Sequence, residues 1–129
     1  MQNNEPLEFY KLWLQTAGYD ELSLQSVLKD GSPNTACFLA QQMAEKLLKS
    51  LLAFSDDEFP KVHDLSVLAS RLQKLGFDLK IIDDDLKYLN TFYTQTRYPD
   101  DLKIFTLKEA QRAALAAKNI KEFVMAKLS

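Results

Sequence analysis

The sequence predicts an all-α protein, an antiparallel up-and-down four-helix bundle with a fifth helix at the C-terminus. The 129 residues include only three glycines and four prolines, and apolar residues recur at steps of three and four along most of the chain. The predicted helices are joined by short connections, which favour antiparallel neighbours. A chain of this length fits one domain, which we expect to span residues 1–129.

The composition is that of an ordinary globular protein, with 47% hydrophobic and 26% charged residues and a net charge of -2. This mildly acidic balance gives no general attraction to nucleic acid or to acidic membranes. The single cysteine, Cys37, and the single histidine, His63, exclude an intrachain disulfide and a four-ligand Cys/His zinc site. Cys37 has apolar neighbours, which predicts a buried, inert thiol. We predict no metal and no cofactor.

The N-terminal segment MQNNEPLEF lacks the basic start and apolar run of a signal peptide. No uninterrupted apolar stretch approaches the 18 residues or so that suggest a membrane span. We therefore expect a cytoplasmic protein.

The first predicted helix begins near Pro6 and ends before the turn from Asp30 to Pro33. Gly18 weakens its middle by roughly 1 kcal/mol relative to alanine, so we expect a kink or a close helix contact there. The residues expected to face inward are Tyr10, Leu14, Ala17, Leu24 and Leu28.

The second predicted helix, from about Asn34 to Phe54, has the most apolar helical pattern and is expected to be central. Glu45 and Lys49 are spaced to pair at i,i+4. The inward stripe is Ala36, Ala40, Met43, Leu47, Leu51 and Phe54, and the opposite side carries Gln42, Glu45, Lys46 and Lys49. We interpret the two lysines as solvated surface, with a phosphate-binding stripe as the alternative.

Three capping patterns place the remaining helices. Asp64 is suited to cap a third helix that ends near Gly76. Three aspartates, 83–85, suit the electropositive start of a fourth helix that runs to about Thr96, and we favour this over a magnesium site. Thr106 and Glu109 form a capping box that opens the last helix.

One end of such a bundle gathers polar residues that are distant in sequence. If the first four helices alternate in direction, the end of the second, the start of the third and the end of the fourth lie together. Arginine binds phosphate with a bidentate fork, and a tyrosine face can stack on a base. The structural alternative is that Asp64 only caps a helix, His63 bonds a backbone carbonyl and Arg97 neutralises Asp100. The residues concerned are Lys61, His63, Asp64, Thr96, Arg97, Tyr98 and Asp100.

Four segments together resemble the HEPN domain family: CFLAQQMAEKLLKSLL, HDLSVLASRL, YLNTFYTQTRYPDD and FTLKEAQRAALAAKNIKEFVMAKL. The match covers about Phe9 to Leu128. The resemblance implies a helical bundle similar to the C-terminal domain of kanamycin nucleotidyltransferase, a homodimer, nucleotide binding, and a minimal nucleotidyltransferase as partner in a module of the toxin–antitoxin type. The positions that it marks are Gln42, Glu45, Lys46, His63, Asp64, Arg97, Tyr98 and Asp100.

Another branch of the family consists of ribonucleases with an arginine four to six residues before a histidine. No arginine precedes His63 at any spacing. The first hypothesis is therefore a non-catalytic protein that binds a nucleotide, docks a nucleotidyltransferase, or does both. The second is an RNA-cleaving toxin in which His63 acts as general acid or base and Arg97 stabilises phosphate charge. The third is a purely structural dimerisation module.

Overall fold

The computed structural model describes residues 9–95 and 103–129. These residues contain no β-strand, and the predicted all-α helical bundle is confirmed. A short 3₁₀ turn, Lys80–Ile82, precedes the helix that begins at Asp83. The helices are α1 (Phe9–Asp30), α2 (Pro33–Phe54), α3 (Leu65–Lys74), α4 (Asp83–Asn90), α5 (Phe92–Gln95) and α6 (Leu107–Leu128).

Helix α2 is the centre of the bundle and packs against α1, α3, α4, α5 and α6. Of its 22 residues 14 are buried, so its polar side is covered as well as its apolar side. The prediction that Lys49 is solvated is therefore wrong, because this residue is only 6% exposed. Lys46 is partly exposed and forms an ion pair of 2.8 Å with Asp20 of α1.

Helices α1 and α2 form a hairpin through the two residues Gly31 and Ser32. The Ser32 hydroxyl caps α2 by accepting from the Asn34 backbone N–H at 3.1 Å. Gly31 leaves room for this turn, since a Cβ there would lie 2.8 Å from Val27 Cγ1. The close helix contact expected at Gly18 is absent, because a Cβ on Gly18 would meet nothing within 4 Å, and α1 runs through this position without a break.

Helices α2 and α3 end in the same hydrogen-bond pattern. After α2, the N–H of Asp57 donates to Leu52 O and that of Asp56 donates to Ala53 O. After α3, Phe77 and Gly76 make the equivalent bonds. Both are Schellman motifs, which need one left-handed residue. That residue is Gly76 (φ 100°) after α3, as predicted, and Asp56 (φ 58°) after α2.

The fourth predicted helix is divided. It starts at Asp83 as expected, but α4 ends at Asn90 and α5 follows from Phe92. The Thr91 hydroxyl donates to Tyr88 O at 2.7 Å at the break, a bond that commonly bends helices. The predicted helix start near Pro6 and the predicted end near Thr96 lie outside the described residues.

The last helix begins at the predicted capping box. The Thr106 hydroxyl accepts from the Glu109 N–H at 3.1 Å, and the Glu109 carboxylate accepts from the Thr106 N–H at 2.9 Å. Cys37 is fully buried in the core, as predicted. Its burial, with a smaller contribution from the nearby charge of Glu109, raises the pKa of the thiol to about 11.

Candidate functional site

The segment that joins α2 to α3 runs back along α2. The backbone carbonyl of His63 accepts from Gln41 Nε2 at 3.0 Å, and His63 Nδ1 lies 3.0 Å from Glu45 Oε2. Gln41 and Glu45 lie near the middle of α2, one turn apart. The expected meeting of the start of α3 with the end of α2 is therefore wrong, because the ten residues between the helices bring His63 back by several turns.

Glu45 is the centre of the site. The residue is 4% exposed, and its Oε2 accepts from Lys49 Nζ at 2.8 Å while also facing His63 Nδ1. Its second oxygen, Oε1, is buried and has no hydrogen-bond partner in the described part of the chain. A carboxylate in such a place is costly to desolvate and is stabilised mainly by its charged partners.

His63 lies at the surface of this cluster, with 53% of its side chain exposed. Because Nδ1 faces a carboxylate, we assign the proton of the neutral ring to Nδ1. The other ring nitrogen, Nε2, then carries a free lone pair. The ring centroid of Tyr93 lies 6.4 Å from that of His63, so an aromatic ring accompanies the imidazole.

Lys49 extends the cluster towards α1. Its ammonium lies 5.2 Å from the ring centroid of Trp13, within the range of a cation–π interaction. Trp13, Lys49, Glu45 and His63 thus form a continuous chain of contacts from α1 across the central helix to the surface. The pairing of Glu45 with Lys49 is confirmed, and its burial is the new finding.

Asp64 is held as a helix cap. Its Oδ1 accepts from the Ser66 N–H at 2.9 Å and from the Ser66 hydroxyl at 2.6 Å, and also from Asn90 Nδ2 at 2.9 Å. The Ser66 hydroxyl is the main cause of a lowered pKa for Asp64, with Asn90 and the Ser66 backbone contributing. Asn90 Oδ1 also accepts from the Leu65 N–H, so the start of α3 meets the end of α4. The predicted neighbours of Asp64 at the end of the fourth helix, Thr96 to Asp100, lie outside the described residues.

The structure groups only some of the residues named from the sequence. Glu45 and His63 are in contact, and Gln42 joins them through a 3.1 Å bond to Gln41. Lys46 is bound to Asp20 of α1, outside this hydrogen-bond network. Arg97, Tyr98 and Asp100 lie outside the described residues.

Sequence reasoning missed three residues of the cluster: Gln41, Trp13 and Tyr93. The sequence does contain a pattern that predicts one polar stripe on α2, because polar residues repeat there at steps of four: Gln41, Glu45 and Lys49. The contacts of Trp13 and Tyr93 depend on packing between helices and have no comparable local signal.

Comparison with known proteins decides the family. The sequence pattern of the HEPN domain matches residues 10–128. The chain belongs to the HEPN domain family. This HEPN domain is similar to TT1696 from Thermus thermophilus, with 31% identity, coverage of 92% of this chain and 98% of that chain, and a TM-score of 0.79.

A second similar structure is ST0689, described as an archaeal HEPN homologue. It shares 28% identity with this HEPN domain, over 93% of this chain and 98% of that chain, with a TM-score of 0.77. No curated protein matches the sequence.

Two features are absent from residues 9–95 and 103–129. No helix there combines the length and apolar character needed to cross a membrane. The same residues contain no group of three or more His, Cys, Asp or Glu side chains that could hold a metal ion.

Proposed function

We propose that this HEPN domain binds a nucleotide without changing it chemically, at the surface around His63. The observation that carries the proposal is the half-exposed imidazole held at 3.0 Å by a carboxylate that is itself buried. Fold stability alone does not call for a buried ion pair under an exposed ring, since apolar residues at such positions are often at least as stable. An exposed imidazole oriented by a carboxylate is an arrangement that binding and catalytic sites use.

The cluster offers complementary contacts for a nucleotide. His63 Nε2, as an acceptor, can bond an N–H group on a base edge, and the rings of His63 and Tyr93 give apolar surface for a base. Gln42 adds an amide at the edge. From the sequence we assign Arg97, Tyr98 and Asp100 to the same site, with Arg97 binding phosphate, and Lys46 and Asp64 to its border.

Family membership supports the remaining parts of the proposal. We assign to the protein a homodimeric state, a nucleotidyltransferase as protein partner, and a role in a cytoplasmic module of the toxin–antitoxin type. If the His63 surface binds nothing, the remaining hypothesis is that the protein is a purely structural dimerisation module.

A second candidate function is favoured by one observation. An imidazole oriented through Nδ1 by a carboxylate is the arrangement that makes a histidine a general base. His63 could therefore cleave RNA with Arg97 stabilising the phosphate. We rank RNA cleavage below nucleotide binding, because the sequence lacks the Arg-x4–6-His spacing of the ribonuclease branch.

Thermal unfolding in the presence of single nucleotides tests the proposal. At about a hundred times its dissociation constant, a ligand of the folded state adds roughly 2.7 kcal/mol. We expect one nucleotide to stabilise the wild type, and His63→Ala and Arg97→Ala to lose that stabilisation while remaining folded. If no nucleotide raises the melting temperature, the proposal is wrong.

A labelled RNA incubated with the same proteins tests the second candidate. We expect no cleavage by the wild type. Cleavage by the wild type that His63→Ala abolishes would instead identify the protein as a ribonuclease.

A further inference from the structure

A concave surface lies at the Trp13 end of the contact chain from Trp13 to His63, where the start of α1 meets the loop after α2. This cavity has a volume of about 560 Å³, within the range of roughly 300–1,000 Å³ that ligand pockets span. It shares Trp13 with the contact chain that ends at His63, but it includes none of the residues proposed to contact the nucleotide.

Three aromatic side chains form its walls. The ring of Trp13 meets the rings of Phe9 and Phe59 at centroid distances of 6.1 Å each, with interplanar angles of 75° and 61°. Trp13 Nε1 is buried and has no hydrogen-bond partner among the described residues. The indole already engages one cation, the ammonium of Lys49. Aromatic walls of this kind attract cations through the negative faces of the rings.

The rim of the pocket carries carboxylates. Asp56, Asp57 and Glu58 line it in succession, together with Lys61. Asp56 and Glu58 are exposed and make no ion pair within residues 9–95 and 103–129, so their charges are available to a partner.

An arginine of the chain already binds the loop from Asp56 to Glu58. Arg71 donates to both oxygens of Asp57, at 2.8 and 3.0 Å, and to the carbonyl oxygen of Glu58 at 3.0 Å. A guanidinium thus fits acceptors of this loop, and it does so with the planar fork that distinguishes arginine from lysine.

We propose that this aromatic pocket receives an arginine side chain from a segment of a partner protein. The alkyl stem packs against Phe9 and Phe59, the guanidinium stacks on an aromatic wall, and its N–H groups donate to Asp56 and Glu58. The pocket is larger than one side chain requires, so it also accommodates residues that flank the arginine. The proposal is independent of nucleotide binding at His63.

Trp13 provides a direct readout because it is the only tryptophan of the chain. A capped five-residue peptide with one arginine between alanines and glycines is titrated while Trp13 emission is recorded. The comparison peptide carries citrulline, which has nearly the same shape without the charge. A single side chain in an open pocket is expected to bind with a dissociation constant on the order of 1 mM. We expect a saturable response to arginine and at least a tenfold weaker response to citrulline.

Two sets of variants locate the site. The double variant Asp56→Asn with Glu58→Gln is expected to weaken arginine binding at least tenfold. The matched control, Asp30→Asn with Glu122→Gln, removes the same two charges at exposed positions outside the pocket and is expected to leave affinity unchanged. Phe59→Leu keeps the pocket apolar but removes one ring, and we expect a loss of severalfold.

Several results would overturn the proposal. These are the absence of a saturable response, equal binding of the arginine and citrulline peptides, or an equal loss in the control double variant. Free argininamide binding at least tenfold more tightly than the peptide would assign the pocket to a small organic cation and would likewise contradict a polypeptide partner.

Discussion

Two carboxylate–lysine pairs with the same spacing lie in very different surroundings. Glu45–Lys49 in α2 and Asp83–Lys87 in α4 are both i,i+4 pairs, with distances of 2.8 and 2.9 Å. The side chains of the first pair are 5% and 7% exposed, and those of the second are 49% and 75% exposed. The same local chemistry therefore supports a buried site in one helix and a solvated surface in the other.

The difference arises from what covers each helix. Helix α1 places Trp13 over Lys49, and the returning loop places His63 over Glu45. Helix α4 buries Leu86 and Leu89 on one face and leaves its charged first turn exposed. In the buried setting each ion depends on its partner, whereas water replaces the partner in the exposed setting.

The largest effect is expected when one charge of the buried pair is removed. Glu45→Gln preserves size but leaves the Lys49 ammonium without a counter-charge, so we expect a loss of about 3–5 kcal/mol in the free energy of unfolding. Urea unfolding at pH 7 measures it. The matched variant Asp83→Asn should cost about 0.5 kcal/mol. Similar losses of unfolding free energy in both variants would show that burial does not make the Glu45–Lys49 pair more important for stability than the Asp83–Lys87 pair.

Removing both buried charges should cost less than removing one. Glu45→Leu combined with Lys49→Met replaces the pair by apolar side chains, which is often close to neutral. We expect the double variant to be more stable than Glu45→Gln and to lose nucleotide binding, because His63 loses the group that orients it. A double variant less stable than the single one would contradict this account of the pair.

Asp64 lies between the two extremes, being partly buried and capping α3 through Ser66. Asp64→Ala should cost about 1 kcal/mol at pH 7. Because the folded-state pKa is lowered, the stabilisation by the charged carboxylate is present above the unfolded-state value of about 3.9. It is lost as the pH falls through the lower folded-state pKa.

The difference in stability between wild type and Asp64→Ala should therefore shrink below roughly pH 4, as measured by urea unfolding across a pH series. Asp64→Asn serves as the control, since it caps about as well but does not titrate. A constant difference at all pH values would show that the charge of Asp64 is not involved.

The smallest effect is expected at the exposed pair. Lys87→Ala should change the free energy of unfolding less than any variant above, and about 1 M salt should abolish the difference by screening. A loss as large as that of Asp64→Ala that persists in salt would mean that this lysine has a role beyond its pairing with Asp83.

The sequence was sufficient for most of the fold because the signals are local. Each of these signals acts within about one turn of helix: the apolar steps of α2, the Asp64 cap, Gly76 and the Thr106–Glu109 box. The division of the fourth helix at Thr91 was missed, since threonine is compatible with both a continuous and an interrupted helix.

The candidate site was predicted less completely, because burial of a polar stripe depends on neighbours from other parts of the chain. The spacing of Glu45 and Lys49 gives the pair, but only packing against α1 and the returning loop makes it buried. The path of residues 55–64 has no periodic pattern, so the meeting of His63 with Gln41 and Glu45 could not be deduced. Asp56 shows the same limit: the left-handed residue that ends α2 is an aspartate in place of the usual glycine.

The buried thiol of Cys37 protects the core of this protein from alkylation until the core opens. Alkylation requires the thiolate, which attacks the reagent, and a pKa of about 11 together with full burial suppresses that species in the native state. Because the chain has one cysteine, every modified molecule reports exposure of the same thiol, either by separation of the first turns of α2 from the helices around them or by unfolding of the whole domain. The rate of labelling, followed by mass spectrometry without any substitution, therefore measures how often Cys37 becomes accessible.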